Sequence, residues 1–273
     1  MNQVRELIMA IGDPGTGKSL GGLTIAAANP NKLFHYLIAD RYPAKLYEHF
    51  GGEQLPNVLE YESFDFATAA HNIAEVAHTA RDNPLEHWVI VDTIGQLYKA
   101  AADAYTLERF NKTASDIIES RTIDYRTRQM YKQPENPETK GLYAGFAGWE
   151  WQLISTRFYN EIVFPLLRYS KVNVYMVAHP AALRGAGPNG QFIRSVPEIA
   201  GIKSRFETVG CVPDLHKQVV RYVDTILYFS RDGGSNSHYL YTIKETGKRN
   251  WLNEDTVFGS FWTDYQRLVM NHG

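Results

Sequence analysis

Eight consecutive residues, Gly12-Asp13-Pro14-Gly15-Thr16-Gly17-Lys18-Ser19, fit the pattern G-x-x-x-x-G-K-[ST], and each residue type has a task in holding polyphosphate. The glycines permit positive φ, so backbone N–H groups can turn inward around an anion. Lys18 supplies charge for β- and γ-phosphates, and Ser19 supplies a hydroxyl for Mg²⁺. Leu20 completes the run expected at the nucleotide. An apolar run, Leu7–Ile11, precedes the pattern, and Ser19–Ala28 reads as a helix whose N-terminus adds its positive dipole end. The implied ligands are ATP and Mg²⁺.

A second carboxylate belongs with this loop. Asp92 closes the apolar run Trp88–Val91, where a Walker B aspartate would reach Mg²⁺ through water or the Ser19 hydroxyl. The next residue is Thr93, which cannot polarise a water as a carboxylate does, so a hydrolytic base must come from elsewhere. Asp40 ends the second strand and Glu62 follows the third. In a parallel sheet both strand ends open on the ligand side, and either carboxylate could orient the attacking water. His179 ends a further strand on the same edge, where an imidazole could sense the γ-phosphate and pass its state to the long segment after it.

The elements that must position these groups are legible in outline. Strand-like runs at Leu7–Ile11, Leu33–Ala39, Val58–Tyr61 and Trp88–Val91 alternate with helical ones at Ser19–Ala28 and Phe66–Ala80, which gives βαβ units and a parallel sheet. From Ile94 to about Arg168 the pattern is mostly helical, with a proline-marked break at Gln133–Pro137. Val172–Ala178 restores a buried strand. Pro180–Pro213 is too long for an ordinary connection. Val219–Phe229 and Tyr239–Ile243 flank the turn Asp232–Asn236, predicting an antiparallel hairpin, and Phe258–Val269 reads as a closing helix. The expected architecture is a single α/β domain over 1–273, with a helical insertion at about 99–148 and a C-terminal β-hairpin.

Composition agrees with a globular chain. Its 273 residues carry 28 Lys+Arg, 30 Asp+Glu and a net charge of -2, and the length suffices for a core without disulfides. One cysteine, Cys211, excludes an intramolecular disulfide and points to a reducing, cytoplasmic setting. No apolar run has the length of a membrane span.

With these residues in place, the chain resembles RecA-type ATPase cores. The shared layout is Walker A, an Asp-Thr rather than Asp-Glu Walker B, and a polar residue ending the next core strand. The likeness is to phage-encoded RecA-core P-loop proteins, some of which act as single-strand annealing or recombination ATPases. Gly148-Trp149 opening a helix, Met176-Val177-Ala178-His179, Val212-Pro213-Asp214-Leu215 and Tyr222-Val223-Asp224 are further matches. The resemblance spans roughly residues 5–250, and only the P-loop is specific by itself. It implies a RecA-like P-loop NTPase fold, with a mostly parallel central sheet flanked by helices. The implied activity is Mg-dependent ATP hydrolysis on single-stranded DNA, in recombination, annealing or replication within the host cytoplasm. The family's second strand often ends Asp-x-Glu-Gly; Ala39-Asp40-Arg41-Tyr42 stands there instead, which makes Asp40 the substitute base.

The charge is unevenly spread. Segments 121–132, 181–210 and 244–250 hold eleven basic and four acidic residues, against seventeen and twenty-six elsewhere. Aromatic residues interleave them, as suits single-strand binding through phosphates and stacking. By resemblance, the loop after His179 is the DNA-binding loop, with Arg184, Arg194, Lys203 and Arg205. RecA-type rings and filaments complete the ATP site with a basic residue from the neighbouring subunit, for which Lys244, Lys248 and Arg249 are candidates in a homo-oligomer. The competing expectation is an ATP-dependent phage assembly or packaging factor, gripping a protein partner through the insertion.

Overall fold

A computed structural model of the chain describes residues 5–131, 148–187, 190–193, 202–231, 238–245 and 256–257. In chain order the first half contains β1 (Leu7–Gly12), α1 (Lys18–Ala28), β2 (Leu33–Ile38), α2 (Ala44–Tyr47), β3 (Val58–Glu62), α3 (Phe66–Thr79), β4 (His87–Asp92), α4 (Ile94–Phe110) and α5 (Ala114–Tyr131). The second half contains α6 (Gly148–Phe158), β5 (Asn173–Ala178), β6 (Pro180–Ala182), β7 (Arg184–Gly187), β8 (Gly190–Ile193), α7 (Ile202–Val209), β9 (Cys211–Pro213), β10 (Thr225–Arg231), β11 (His238–Glu245) and β12 (Thr256–Val257).

Eight strands make one sheet in the order β12-β11-β10-β1-β5-β4-β2-β3. From β10 to β3 all neighbours are parallel, and β11 and β12 add antiparallel at one end. β1, β4 and β5 are buried along their whole lengths apart from half-buried His87, which is why they read as continuous apolar runs rather than alternating ones.

Alternation along each strand still decides which helix a side chain meets. On one face Ile8, Ala10, Phe34, Tyr36, Trp88, Ile90 and Tyr175 pack with Leu23, Ile25 and Ala26 of α1. On the other, Met9, Ile11, Leu37, Val89, Val91 and Met176 pack with α3, α4 and α6. α1 lies very close to its face: a Cβ at Gly22 would sit 3.1 Å from the Tyr175 ring and 3.2 Å from Ile90. α3 buries Phe66, Ala69, Ile73 and Val76 at helical spacing. Its N-terminus is closed by Asp65, which accepts from the Thr68 N–H at 2.9 Å and from the Thr68 hydroxyl at 2.6 Å. α6 continues through wider, π-helical turns at Tyr159–Val163 and Pro165–Tyr169.

Three boundaries differ from the sequence reading. An insertion beginning at 99 would cut α4, yet that helix buries Leu97, Ala101, Ala102 and Thr106 and belongs to the core layer. Pro180–Pro213 is not one unstructured connection, since β6 pairs with β9 and β7 with β8. Val219 lies in a 3₁₀ turn, Lys217–Arg221, and the strand begins only at Thr225. The hairpin of β10 and β11 is present. The turn at 232–236, the break at 133–137 and the closing helix at 258–269 lie outside the described residues. Among the described residues, no helix is long and apolar enough to cross a membrane.

Candidate functional site

Parallel pairing brings the C-terminal ends of β1, β5, β4, β2 and β3 to one edge of the sheet. β1 leaves the sheet at Gly12, whose φ is +152°, and a Cβ there would lie 2.1 Å from the Phe229 carbonyl oxygen of β10. Only glycine fits that crossing. Gly17, left-handed at φ 93°, is the N-cap of α1. No side chain caps the helix, its first turn carries no acid, and its first closing bond runs from the Gly21 N–H to the Gly17 carbonyl at 2.8 Å. An uncapped N-terminus behind a glycine-rich loop is a ready anion cradle.

Lys18 folds back over the loop and is 6% exposed. Its Nζ donates to the Asp13 carbonyl at 2.6 Å, and Thr16 Oγ1 donates to the same oxygen at 2.8 Å. Burial lowers the ammonium's pKa, while the Asp92 and then the Asp13 carboxylates oppose that shift.

Asp92 comes to Lys18 because position 92 shares the α1-side face of β4 with Trp88 and Ile90. Tyr36 shares that face on β2, and its phenol donates to Asp92 Oδ2 at 2.7 Å. The Ser19 hydroxyl is a second hydrogen-bond partner of the carboxylate. Burial pushes the Asp92 carboxyl up from its ordinary value. The hydrogen bonds of Tyr36 and Ser19 pull it down, nearby Asp40 raises it, and Lys18 lowers it. The peptide bond between Asp92 and Thr93 is cis.

The two candidate bases separate in space. The N–H groups of Ala39 and Asp40 both donate to the Asp92 carbonyl, at 2.8 and 3.2 Å, drawing the chain after β2 toward β4. Asp40 Oδ2 then lies 3.6 Å from His179 Nε2, with both side chains about one-third exposed. Glu62 is on β3, the outer strand. With β5, β4 and β2 intervening, it stands about 19 Å from β1 at the usual strand spacing, and its Oε1 accepts from the Tyr42 phenol at 2.6 Å. The edge therefore gathers Lys18, Ser19, Asp92, Asp40 and His179, and leaves Glu62 aside.

The other sequence candidates fare differently. Lys203 is exposed on α7. Arg205 Nη1 donates to the Thr242 carbonyl of β11 at 3.1 Å. Arg184 has its backbone in β7, whereas Arg194, Lys248 and Arg249 lie outside the described residues. Lys244 corrects its expectation: it is 6% exposed, and its ammonium donates to the carbonyls of Val220, at 2.9 Å, and of Val223. A register shift after Thr242 sets Lys244 opposite Ile226, on the other face from Leu240 and Thr242, where it ties β11 to the turn before β10.

The sequence reading missed three groups. Tyr36 holds Asp92. Tyr175, fully buried, donates to the Lys18 carbonyl at 2.7 Å. The Thr93 hydroxyl is buried without a hydrogen-bond partner. Strand parity would have found Tyr36, because β2 and β4 must show Tyr36 and Asp92 to the same helix layer.

Together the edge offers an anion cradle, a hydroxyl and carboxylate suited to a divalent cation, and a carboxylate–imidazole pair able to handle a proton. No known protein family and no curated protein matches the chain.

Proposed function

We propose that the chain is a P-loop nucleoside triphosphatase with a RecA-type core, which binds ATP with Mg²⁺ and hydrolyses it. One observation carries this reading: the loop from Gly12 to Ser19 closes an uncapped helix N-terminus beside a buried Lys18, with Asp92 hydrogen-bonded to Ser19. The residues fit the group they would hold. The backbone of Gly15–Ser19 and the Lys18 ammonium take phosphate oxygens, and Lys18 releases the Asp13 carbonyl to do so. Ser19 and Asp92 take Mg²⁺. Mg²⁺ commonly takes one or two protein ligands and shares the rest of its shell with phosphate and water. A cation held there would supply charge neutralisation at a transferring phosphoryl group.

Asp40 accepts the proton of the attacking water, and His179 holds the Asp40 carboxylate in place and faces the phosphate edge. Of the sequence's two base candidates, only Asp40 lies near Asp92 and β5. Single-stranded DNA is the proposed effector, from the basic and aromatic segments and the resemblance, with Lys203 the exposed candidate on α7. A ring or filament of copies would supply the completing cation from Lys248 or Arg249. A second reading, a phage assembly factor gripping protein, is supported by exposed Leu107, Phe110, Ile123, Trp149 and Leu153 on the helical layer.

The test is titration with a fluorescent ATP analogue, with and without Mg²⁺. Lys18→Ala is expected to weaken binding about a hundredfold or more, since it removes the ammonium that the loop holds for phosphate. Unchanged affinity would refute the reading. ATPase rates with oligothymidylate at several salt concentrations then separate the two effectors, because only the nucleic-acid reading expects oligothymidylate to stimulate, with an effect that falls as salt rises.

A further inference from the structure

A groove away from the phosphate loop has no part in the reading above. Two clefts of about 490 and 460 Å³ share Tyr98, Trp151 and His216 and so run together. α4 contributes Tyr98 and Lys99, α6 contributes Trp151, and the segment after β9 contributes Asp214, His216 and Lys217.

The rings are fixed before anything binds. Tyr98 and Trp151 lie nearly parallel, at 24° with centroids 6.1 Å apart. The Tyr98 hydroxyl bonds Ser155 Oγ at 3.1 Å, and its ring meets the edge of Phe158 at 5.1 Å. His216 Nδ1 is 2.8 Å from the Tyr159 hydroxyl, with the two rings at 88°. Burial and then Lys217 lower the His216 pKa, which favours the neutral ring. Trp151 nevertheless remains 38% exposed. An aromatic face held in place and left open to water, as that of Trp151 is, suits a flat ligand at low ordering cost.

Two cations flank these faces. Lys217 is exposed. The Lys99 side chain is 58% exposed and only 3.9 Å from Asp214, the one acid lining the groove among the described residues. Such a solvated pair is weak, so Lys99 can exchange its partner for a phosphate. Aromatic faces with lysines beside them are the combination that binds single strands through stacked bases and neutralised backbone. A duplex keeps its base faces covered. A proline-rich peptide would use the aromatic rings and leave both lysines without a partner.

The groove also touches the phosphate edge. The Asp214 N–H donates to the His179 carbonyl at 2.8 Å. A Cβ at Gly95 would lie 2.8 Å from the Asp214 carbonyl, so the start of α4, three residues beyond Asp92, packs on the same segment.

We propose that this groove stacks the bases of single-stranded nucleic acid on Trp151, Tyr98 and His216, with Lys99 and Lys217 at its phosphates. The assignment deepens the nucleic-acid part of the proposed function and rests on that reading. An occupant would press on Asp214 and so on His179, giving the strand a short route to the hydrolytic groups.

The experiment uses the full chain, oligothymidylate and a fluorescent ATP analogue. Oligothymidylate is expected to quench tryptophan emission, and Trp151→Phe, which leaves four of the five tryptophans, should lose much of that quenching. Trp151→Ala and Tyr98→Ala should each weaken oligothymidylate binding about tenfold, with ATP-analogue affinity unchanged. Lys99→Gln with Lys217→Gln should flatten the slope of log affinity against log salt by about 1.4. Wild-type affinity for oligothymidylate in Trp151→Ala would overturn the proposal, as would quenching of Trp151 by a proline-rich peptide and not by oligothymidylate. If the wild type fails to bind the ATP analogue while oligothymidylate still quenches Trp151, the nucleotide reading falls and the groove stands.

Discussion

Two buried polar clusters are built on the same pair of strands, from neighbouring residues of β2, and they differ in almost every respect. Tyr36 faces α1 and reaches diagonally along β4 to Asp92. His35, one residue earlier, faces the other layer and reaches diagonally to His87 at 3.0 Å, with Tyr61 of β3 at 3.2 Å on its other nitrogen. Both contacts use the diagonal neighbour that sheet geometry keeps within reach of long side chains. The Asp92 cluster lies at the C-terminal ends of the strands, beside a lysine, a hydroxyl and an uncapped helix. The His35 cluster lies toward the N-terminal ends with the Tyr61 phenol as its hydroxyl partner, and burial together with His87 pushes the His35 imidazole down to about 4. The strands supply identical scaffolding to both. What differs is the neighbouring charge, which makes one cluster a candidate for chemistry and the other a neutral hydrogen-bonded tie.

The largest expected effect breaks the comparison at its charged end. Asp40→Asn should preserve ATP-analogue binding and lower the hydrolysis rate roughly a hundredfold to ten-thousandfold, the range for losing a positioned general base. Glu62→Gln should leave the rate within about twofold, because Glu62 sits on the outer strand with Tyr42 as its partner. Steady-state phosphate release for the two variants measures both at once. A reversed order would move the base to β3 and remove the role given to the contact between Asp40 and His179.

The neutral end answers to pH. Unfolded His35 takes up its proton near 6.5 and the folded group near 4, so between those values the unfolded chain binds more protons and stability falls as pH drops. The full window is worth about 3 kcal/mol, at 1.36 kcal/mol per pKa unit. The His87 imidazole is lowered as well, by burial, with Glu86 opposing. Urea unfolding at pH 7 and pH 4.5 should show a steeper loss for the native chain than for His35→Gln, which keeps hydrogen-bonding capacity without the titration. Parallel pH profiles would show that the histidine pair carries no such coupling.

The same comparison explains what could be read in advance. β1, β4 and β5 were legible because burial on both faces writes a continuous apolar run, and the phosphate loop because its glycines and lysine are fixed by backbone geometry. Strand order is not written in periodicity. Asp40 and Glu62 therefore both stood as candidate bases, with Asp40 preferred only through the resemblance, although one stands next to Asp92 and the other at the rim. β6 to β9 escaped notice since strands of three or four residues are too short to show alternation. Lys244 read as a candidate cation for a neighbouring subunit, because neither the register shift after Thr242 nor the carbonyls of Val220 and Val223 that hold its ammonium are written in the sequence. Tyr36 looked like one more aromatic in an apolar run. Its value depends on a partner fifty-six positions away.

That dependence sets the smallest of the expected effects. Tyr36→Phe keeps the ring, which is fully buried against α1 and Trp88, and deletes only the phenol that donates to Asp92. Losing a hydrogen bond to a charged group costs about 1.5–3 kcal/mol, and the loss should show at pH 7 as a lower urea midpoint with an unchanged slope. Its pH dependence runs opposite to that of His35. Burial already raises the Asp92 carboxyl, so the folded chain holds that proton more tightly than the unfolded one, and stability declines as pH rises through the folded value. Removing the phenol raises the carboxyl further. The deficit of Tyr36→Phe should therefore grow as pH rises above the ordinary Asp value of about 3.9, where ionised Asp92 most needs the missing donor. A deficit constant across that range would mean that Tyr36 acts only by packing, and the contrast between the two faces of β2 would then rest on the histidines alone.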